Sequence, residues 1–136
     1  MKVTGSCHCG AIAYEAEVEP GTTGMCHCAD CQTLSGSAFR TVVFTQEGSF
    51  SLRSGEPKIY IKTSESGRKR AQAFCPVCGT PIYATSTGDE PKAYNVRLGA
   101  VRQRNELLPR RQIFVCSQQS WVHGLNSIPK FDRMPP

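Results

Sequence analysis

Seven of the eight cysteines fall into three short groups: Cys7-His8-Cys9, Cys26-His27-Cys28-Ala29-Asp30-Cys31 and Cys75-Pro76-Val77-Cys78-Gly79. Thiolates spaced one or two residues apart suit a soft metal ion that needs several of them at once, zinc first among such ions. Tetrahedral zinc takes four ligands. Two of the pairs make one closed set, and the triplet is left one ligand short.

Cys75-Pro76-Val77-Cys78-Gly79 reads as half a zinc site. Proline sets a φ that suits a tight turn, the two intervening residues bring both sulfurs to one side, and Gly79 permits the backbone geometry that follows. Cys7 and Cys9 are two apart, so an extended segment presents both sulfurs on one side while His8 points elsewhere. Joined to Cys75 and Cys78 they would complete a structural zinc site of four cysteines, a pairing that spacing suggests. The simpler alternative for Cys75 and Cys78 is two buried free thiols in a turn.

Cys26, Cys28 and Cys31 form the other arrangement. Three protein ligands and an open position are the mark of a catalytic or exchangeable metal, with a substrate thiol or water in the fourth place. The alternative is a purely structural site completed by Cys116 or a histidine. An iron–sulfur cluster would need a fourth cysteine that the segment does not supply. His8 and His27 lie between ligands and are expected to face away, and His123 is expected to be a surface or packing residue. Cys116 closes the apolar run Ile113-Phe114-Val115, where a small buried hydrophobe is expected. Trp121 reads as a packing anchor.

Short strands must position these groups. Ile12, Tyr14, Ala16 and Val18 alternate with Ala13, Glu15 and Glu17, the period of a half-buried strand that Pro20-Gly21 ends. A β-branched and aromatic run over 38–45 is followed by a turn at Glu47-Gly48 into Phe50-Ser51-Leu52. A second turn at Ser54-Gly55-Glu56-Pro57 leads to Ile59-Tyr60-Ile61, which predicts an antiparallel meander. Further strands are expected over 71–75, 82–85, 94–98 and 112–116. Helical turns are expected near 30–34, with Asp30 as N-cap, and near 117–121. The tail over 129–136 is bounded by proline and should lie extended on the surface.

A chain of 136 residues suits one domain, 1–136, with a core of modest size. Hydrophobic residues at 39%, with 12 Gly and 9 Pro, favour many turns and short strands over long helices. The N-terminus lacks an apolar stretch of signal-peptide length, and no segment approaches the ~20 apolar residues that span a bilayer. A cytoplasmic protein is therefore the expectation. Cysteines stay reduced in that compartment, so this spacing reads as metal binding before disulfides.

The net charge of +5 gathers at Arg68-Lys69-Arg70 and in Arg97, Arg102, Arg104, Arg110 and Arg111. Such a distribution suits a solvated surface or an electropositive rim for a small acidic ligand. No recognition-helix pattern or aromatic RNA-binding motif accompanies it, which argues against nucleic acid.

Together, Gly5-x-Cys7-x-Cys9-Gly10, Cys26-His27-Cys28-x-x-Cys31, Ser35-Gly36-Ser37-Ala38-Phe39 and Phe74-Cys75-Pro76-x-Cys78-Gly79 resemble the glutathione-dependent formaldehyde-activating enzyme family. Ile113-Phe114-Val115, Trp121 and Pro129-Lys130-Phe131 are similar to that family's C-terminal signature, so the resemblance runs from Gly5 to about Pro135. It implies a mainly β architecture, a β-tent of coiled antiparallel hairpins, with two zinc positions. Cys7, Cys9, Cys75 and Cys78 would carry the structural zinc, and Cys26, Cys28 and Cys31 the labile, catalytic one. The implied reaction joins formaldehyde to the thiol of glutathione to give S-hydroxymethylglutathione, a carbon–sulfur lyase reaction in reverse. The substrates are then a small-molecule thiol and an aldehyde, with Arg97 and Arg102 as candidates for the carboxylates of glutathione.

The chain also departs from the family's pattern. Gln32-Thr33 stands where many members have a basic pair, and Cys116 and Gln118 replace a common acidic or small residue and a lysine. These positions bear on glutathione use rather than on the fold. One branch, resembling centromere protein V, associates with chromatin and microtubules. Two further readings stay open: a catalytically silent zinc-stabilised module that binds an acidic protein or nucleic acid, and a metal or redox sensor acting through the triplet. The oligomeric state has no signal in the sequence.

Overall fold

Residues 1–64 and 66–136 are described by a computed structural model. The chain runs through β1 (Lys2–Ser6), β2 (Ala13–Glu17), β3 (Gly24–Cys26), α1 (Ala29–Ser35), β4 (Arg40–Phe44), β5 (Ser51–Ser54), β6 (Lys58–Thr63), β7 (Lys69–Phe74), β8 (Pro81–Ser86), β9 (Asn95–Arg97) and β10 (Arg111–Ile113), with short 3₁₀ turns between and after them. The protein is mainly β, as expected, and its strand pairs are antiparallel except β10 with β3. No helix among the described residues is long and apolar enough to cross a membrane.

The strands form two sheets. One has three strands in the order β1-β2-β5, and the other seven in the order β10-β3-β4-β9-β8-β7-β6. The predicted meander from β4 through β5 to β6 is therefore corrected: β5 leaves to pair with β2, while β6 pairs with β7. The turn residues were rightly placed, but partner choice is a long-range matter that a turn does not decide.

Strand β1 was not expected. Its Lys-Val-Thr-Gly-Ser run has one strong apolar residue, and it is held by a five-residue register with β2 in which Val3 faces Ala16. Gly5 lies opposite Tyr14, and a Cβ there would meet the Tyr14 ring at 2.2 Å. Glycine is needed because the ring lies across the strand at that point.

Period-two alternation assigns the two faces of the large sheet. In one row Val43 pairs with Val96, and Val96 with Tyr83, which pairs with Ala73. These four face the core, where they join Val3, Ile12, Tyr14, Val18 and Ile82. Phe50 stacks on Tyr14 at 5.1 Å and on Tyr94 at 4.6 Å between ring centroids. Burial of each such aliphatic or aromatic side chain contributes about 1.5–3 kcal/mol.

The intervening residues project from the opposite face. Cys26 pairs with Arg40, Val42 with Arg97, Asn95 with Ala84, Ala84 with Gln72, and Gln72 with Tyr60. Seen across the strands, this face runs from a thiol through two guanidiniums and an amide to a phenol. Helix α1 is tied over it by a 2.6 Å ion pair between Asp30 and Lys62 of β6.

The C-terminal segment departs from expectation. β10 ends at Ile113, Phe114 takes a left-handed φ of 55°, and 3₁₀ turns follow over Val115–Ser117 and Ser120–Ser127. Cys116 is exposed instead of buried, and Trp121 is 53% exposed instead of anchoring a core. The apolar run over 113–115 is exposed as well, because the segment lies along the sheet edge beyond the core. The tail over 129–136 is exposed and has no regular element.

Candidate functional site

The folded chain gathers two sets of thiols. Cys7, Cys9, Cys75 and Cys78 lie with their sulfurs within 4.8 Å of one another, and Cys26, Cys28 and Cys31 form a second such set. Among the described residues no histidine or carboxylate joins either one.

The four-cysteine set links the β1–β2 turn to the β7–β8 turn. Its Cys7–Cys9 and Cys9–Cys75 sulfur separations are 3.6 and 3.8 Å. Sulfurs at the corners of a tetrahedron with metal–sulfur bonds of ~2.3 Å stand roughly 3.8 Å apart, so the spacing fits zinc. Backbone N–H groups of Ile12 and Val77 donate to the sulfurs of Cys7 and Cys75 at 3.2 and 3.4 Å. Burial opposes ionisation of Cys7, yet the Ile12 N–H and the neighbouring thiols bring it below the ordinary thiol range. The hydroxyl and backbone N–H of Thr80, with the backbone of Cys9, hold the Cys78 thiol down to about 5. Gly79 has a φ of 78°, the left-handed turn that the sequence called for. His8 stays outside the set, its backbone N–H bonded to the Thr80 hydroxyl.

Cys26 ends β3, Cys28 is the N-cap of α1, and Cys31 lies in the helix's first turn. The cap is thus Cys28 rather than Asp30, its sulfur accepting the Cys31 N–H at 3.3 Å. Burial opposes ionisation of Cys28, yet the Cys31 N–H, the neighbouring thiols and the Lys62 ammonium bring it below the ordinary thiol range. Burial and the sulfurs of Cys28 and Cys26 push Cys31 up to about 12. Three such thiols cannot all ionise side by side without a compensating cation. A divalent metal meets that requirement, and the donor set fits zinc.

His27 is buried, and its Nε2 bonds the Gln112 Oε1 at 2.8 Å, while its ring packs on Phe39. Gln32 donates through Nε2 to the carbonyls of His27 and Ser117 at 2.8 and 2.9 Å and accepts from Gln119 Nε2 at 2.7 Å. It fastens α1 to the C-terminal segment, a role that its place in the sequence did not announce. Thr33 is exposed on α1, and Cys116 stands outside the triplet.

Arg97 lines two cavities, the smaller of them beside the triplet. The smaller, about 120 Å³, includes Cys26, Cys31, Val42 and Phe44. The larger, about 290 Å³, includes Leu34, Arg40, Tyr60, Gln72 and Phe74. Arg97 is therefore brought to the triplet. Arg102 is not: it is exposed and lines a different cavity with Thr4, Cys7 and His8. Arg40 was missed by sequence reasoning, because its place opposite Cys26 follows from the β3–β4 register alone.

The family model described as glutathione-dependent formaldehyde-activating enzyme matches residues 2–117. Among curated proteins none matches the chain. A solved structure, the crystal structure of a Rhodobacter sphaeroides protein from a structural genomics programme, is similar with a TM-score of 0.59 at 18% identity. The match covers 80% of this chain and 98% of that one, a likeness of fold.

Proposed function

The chain belongs to the glutathione-dependent formaldehyde-activating enzyme family, and from that premise we propose that it joins a small thiol to formaldehyde or a related aldehyde at Cys26, Cys28 and Cys31. Zinc would be held there, and a second, structural zinc by Cys7, Cys9, Cys75 and Cys78. The observation that supports this reading is a set of three convergent thiols, two of them lining a cavity with a buried cation, Arg97.

When bound, zinc supplies the positive charge that keeps coordinating thiols ionised at neutral pH. The chain's own residues arrange the rest. Cys28 and Cys31 are fixed relative to each other by the helical turn they share, and the Asp30–Lys62 pair holds that turn over the sheet. Val42 and Phe44 give the smaller cavity an apolar wall that limits water near Cys26 and Cys31. Arg97 provides a positive potential that favours thiolate over thiol in a substrate.

In the reaction, the thiol sulfur bonds to the carbonyl carbon, the C=O π pair moves onto oxygen, and the thiol proton ends on that oxygen. No electrons are exchanged with an outside partner. Exchange NMR of glutathione or a small mercaptocarboxylate with formaldehyde tests the reading. The zinc-replete protein is expected to accelerate exchange between free and hydroxymethyl thiol, and rates equal to the spontaneous ones for both would overturn it.

A further inference from the structure

Arg40 and Arg97 are 5% and 8% exposed, on adjacent strands and on one face of the sheet. The four ion pairs among the described residues, Met1 with Glu17, Lys2 and Arg53 with Glu15, and Lys62 with Asp30, leave both without a carboxylate. The terminal nitrogens of Arg97 donate to the side-chain oxygens of Asn95 and Gln72, neutral acceptors that aim the guanidinium without balancing its charge. Its buried Nε has no partner among the described residues. Burial and the charge of Arg40 press the Arg97 guanidinium well below its usual range, although arginine effectively keeps its proton in proteins. Two buried like charges that the triplet's sulfurs offset only in part, with no carboxylate beside them among the described residues, are costly, and an anion in the cavity they share relieves the cost.

The order of groups along the sheet face says more. Cys26 is on β3, Arg40 on β4, Arg97 on β9, Gln72 on β7 and Tyr60 on β6, and that is their sequence across the strands. Arg97 lines both cavities, the one holding Cys26 and Cys31 and the one walled by Leu34, Tyr60 and Phe74. A molecule lying along this face meets thiols, then guanidiniums, then an apolar and aromatic surface.

We propose that Arg40 and Arg97 form a buried carboxylate site, and that the ligand is a mercaptocarboxylate whose carboxylate lies a few bonds from its thiol and whose body is apolar. The assignment of the thiol rests on the proposed thiol–aldehyde reaction, while the carboxylate site stands without it. A tripeptide thiol such as glutathione suits the cavity less well, since it would bring an ammonium and a second carboxylate against Leu34 and Phe74. The bidentate geometry of guanidinium for carboxylate supplies the selectivity.

The test uses the zinc-replete protein and isothermal titration with 3-phenylpropanoate, 3-phenylpropanamide, 2-mercapto-3-phenylpropanoate and glutathione. The carboxylate is expected to bind at least tenfold tighter than its amide, the mercaptocarboxylate tighter still, and glutathione more weakly than the mercaptocarboxylate. Arg97→Met is expected to lose the preference for carboxylate over amide while raising the melting temperature of the ligand-free protein, and Arg97→Lys to retain part of that preference. Equal binding of carboxylate and amide, or tighter binding of glutathione, would overturn the proposal. Carboxylate preference without thiol–aldehyde exchange would leave the anion site intact and count against the reaction; exchange without that preference would do the reverse.

Discussion

Cys26 and Arg40 face each other across β3 and β4, so a metal-ligating type of side chain and a buried guanidinium project side by side from one face of the large sheet. Electrostatics then connects the strands: the sulfurs of Cys31, Cys28 and Cys26 offset part of what burial costs Arg40. Replacing Cys26 by Ser weakens that support as well as the metal set. The Cys26→Ser protein is expected to lose the triplet's zinc and to melt a few degrees lower, on the order of 1–2 kcal/mol. Metal analysis with a thermal melt checks it, and retention of full metal content would contradict it.

Cys75 is fully buried and bridges core and metal set. Structural zinc contributes on the order of 10–16 kcal/mol in zinc-finger peptides, as much as the whole stability of an ordinary domain. Cys75→Ala and Cys78→Ala are expected to give unfolded or insoluble protein. A soluble Cys78→Ala protein with native near-ultraviolet circular dichroism would contradict the structural role.

These two predictions rest on features of different legibility. The cysteine groups could be read because their spacing is local, and the association of Cys7 with Cys75 because four thiols suit one tetrahedral ion. Arg40 could not be read, since its partner lies across a non-local register. The same cause misplaced β5 and hid β1, whose sequence is weakly apolar and whose order comes from pairing. Cys116 and Trp121 read by type as a buried hydrophobe and a packing anchor, and the structure leaves both exposed at the edge, where apolar character alone does not decide burial.

Gln32→Ala removes the bonds that join α1 to the carbonyls of His27 and Ser117. Two such bonds, one partly buried, are worth about 1–3 kcal/mol together. Urea unfolding should show a loss of that size, and amide exchange should quicken near residue 117. Unchanged exchange there would contradict the fastening role.

Lys62 lowers the Cys28 thiol. With Lys62→Met the Cys28 pKa rises, so less thiolate is present at neutral pH. After mild chelation has emptied the triplet, iodoacetamide labelling of Cys28 should slow on the order of two- to fivefold, and the labelling-versus-pH curve should move to higher pH. Peptide mass spectrometry reads this out, and faster labelling would contradict the sign.

The proposed function calls for two metal sites of unequal purpose, and native mass spectrometry of the wild type and Cys28→Ser tests that most directly. The wild type is expected to carry two zinc ions. Cys28→Ser is expected to carry one, with its near-ultraviolet spectrum preserved and its exchange of thiol with formaldehyde at the spontaneous rate. A wild type with a single zinc, or a Cys28→Ser protein that keeps both ions or still catalyses exchange, would contradict the claim that Cys26, Cys28 and Cys31 carry the function.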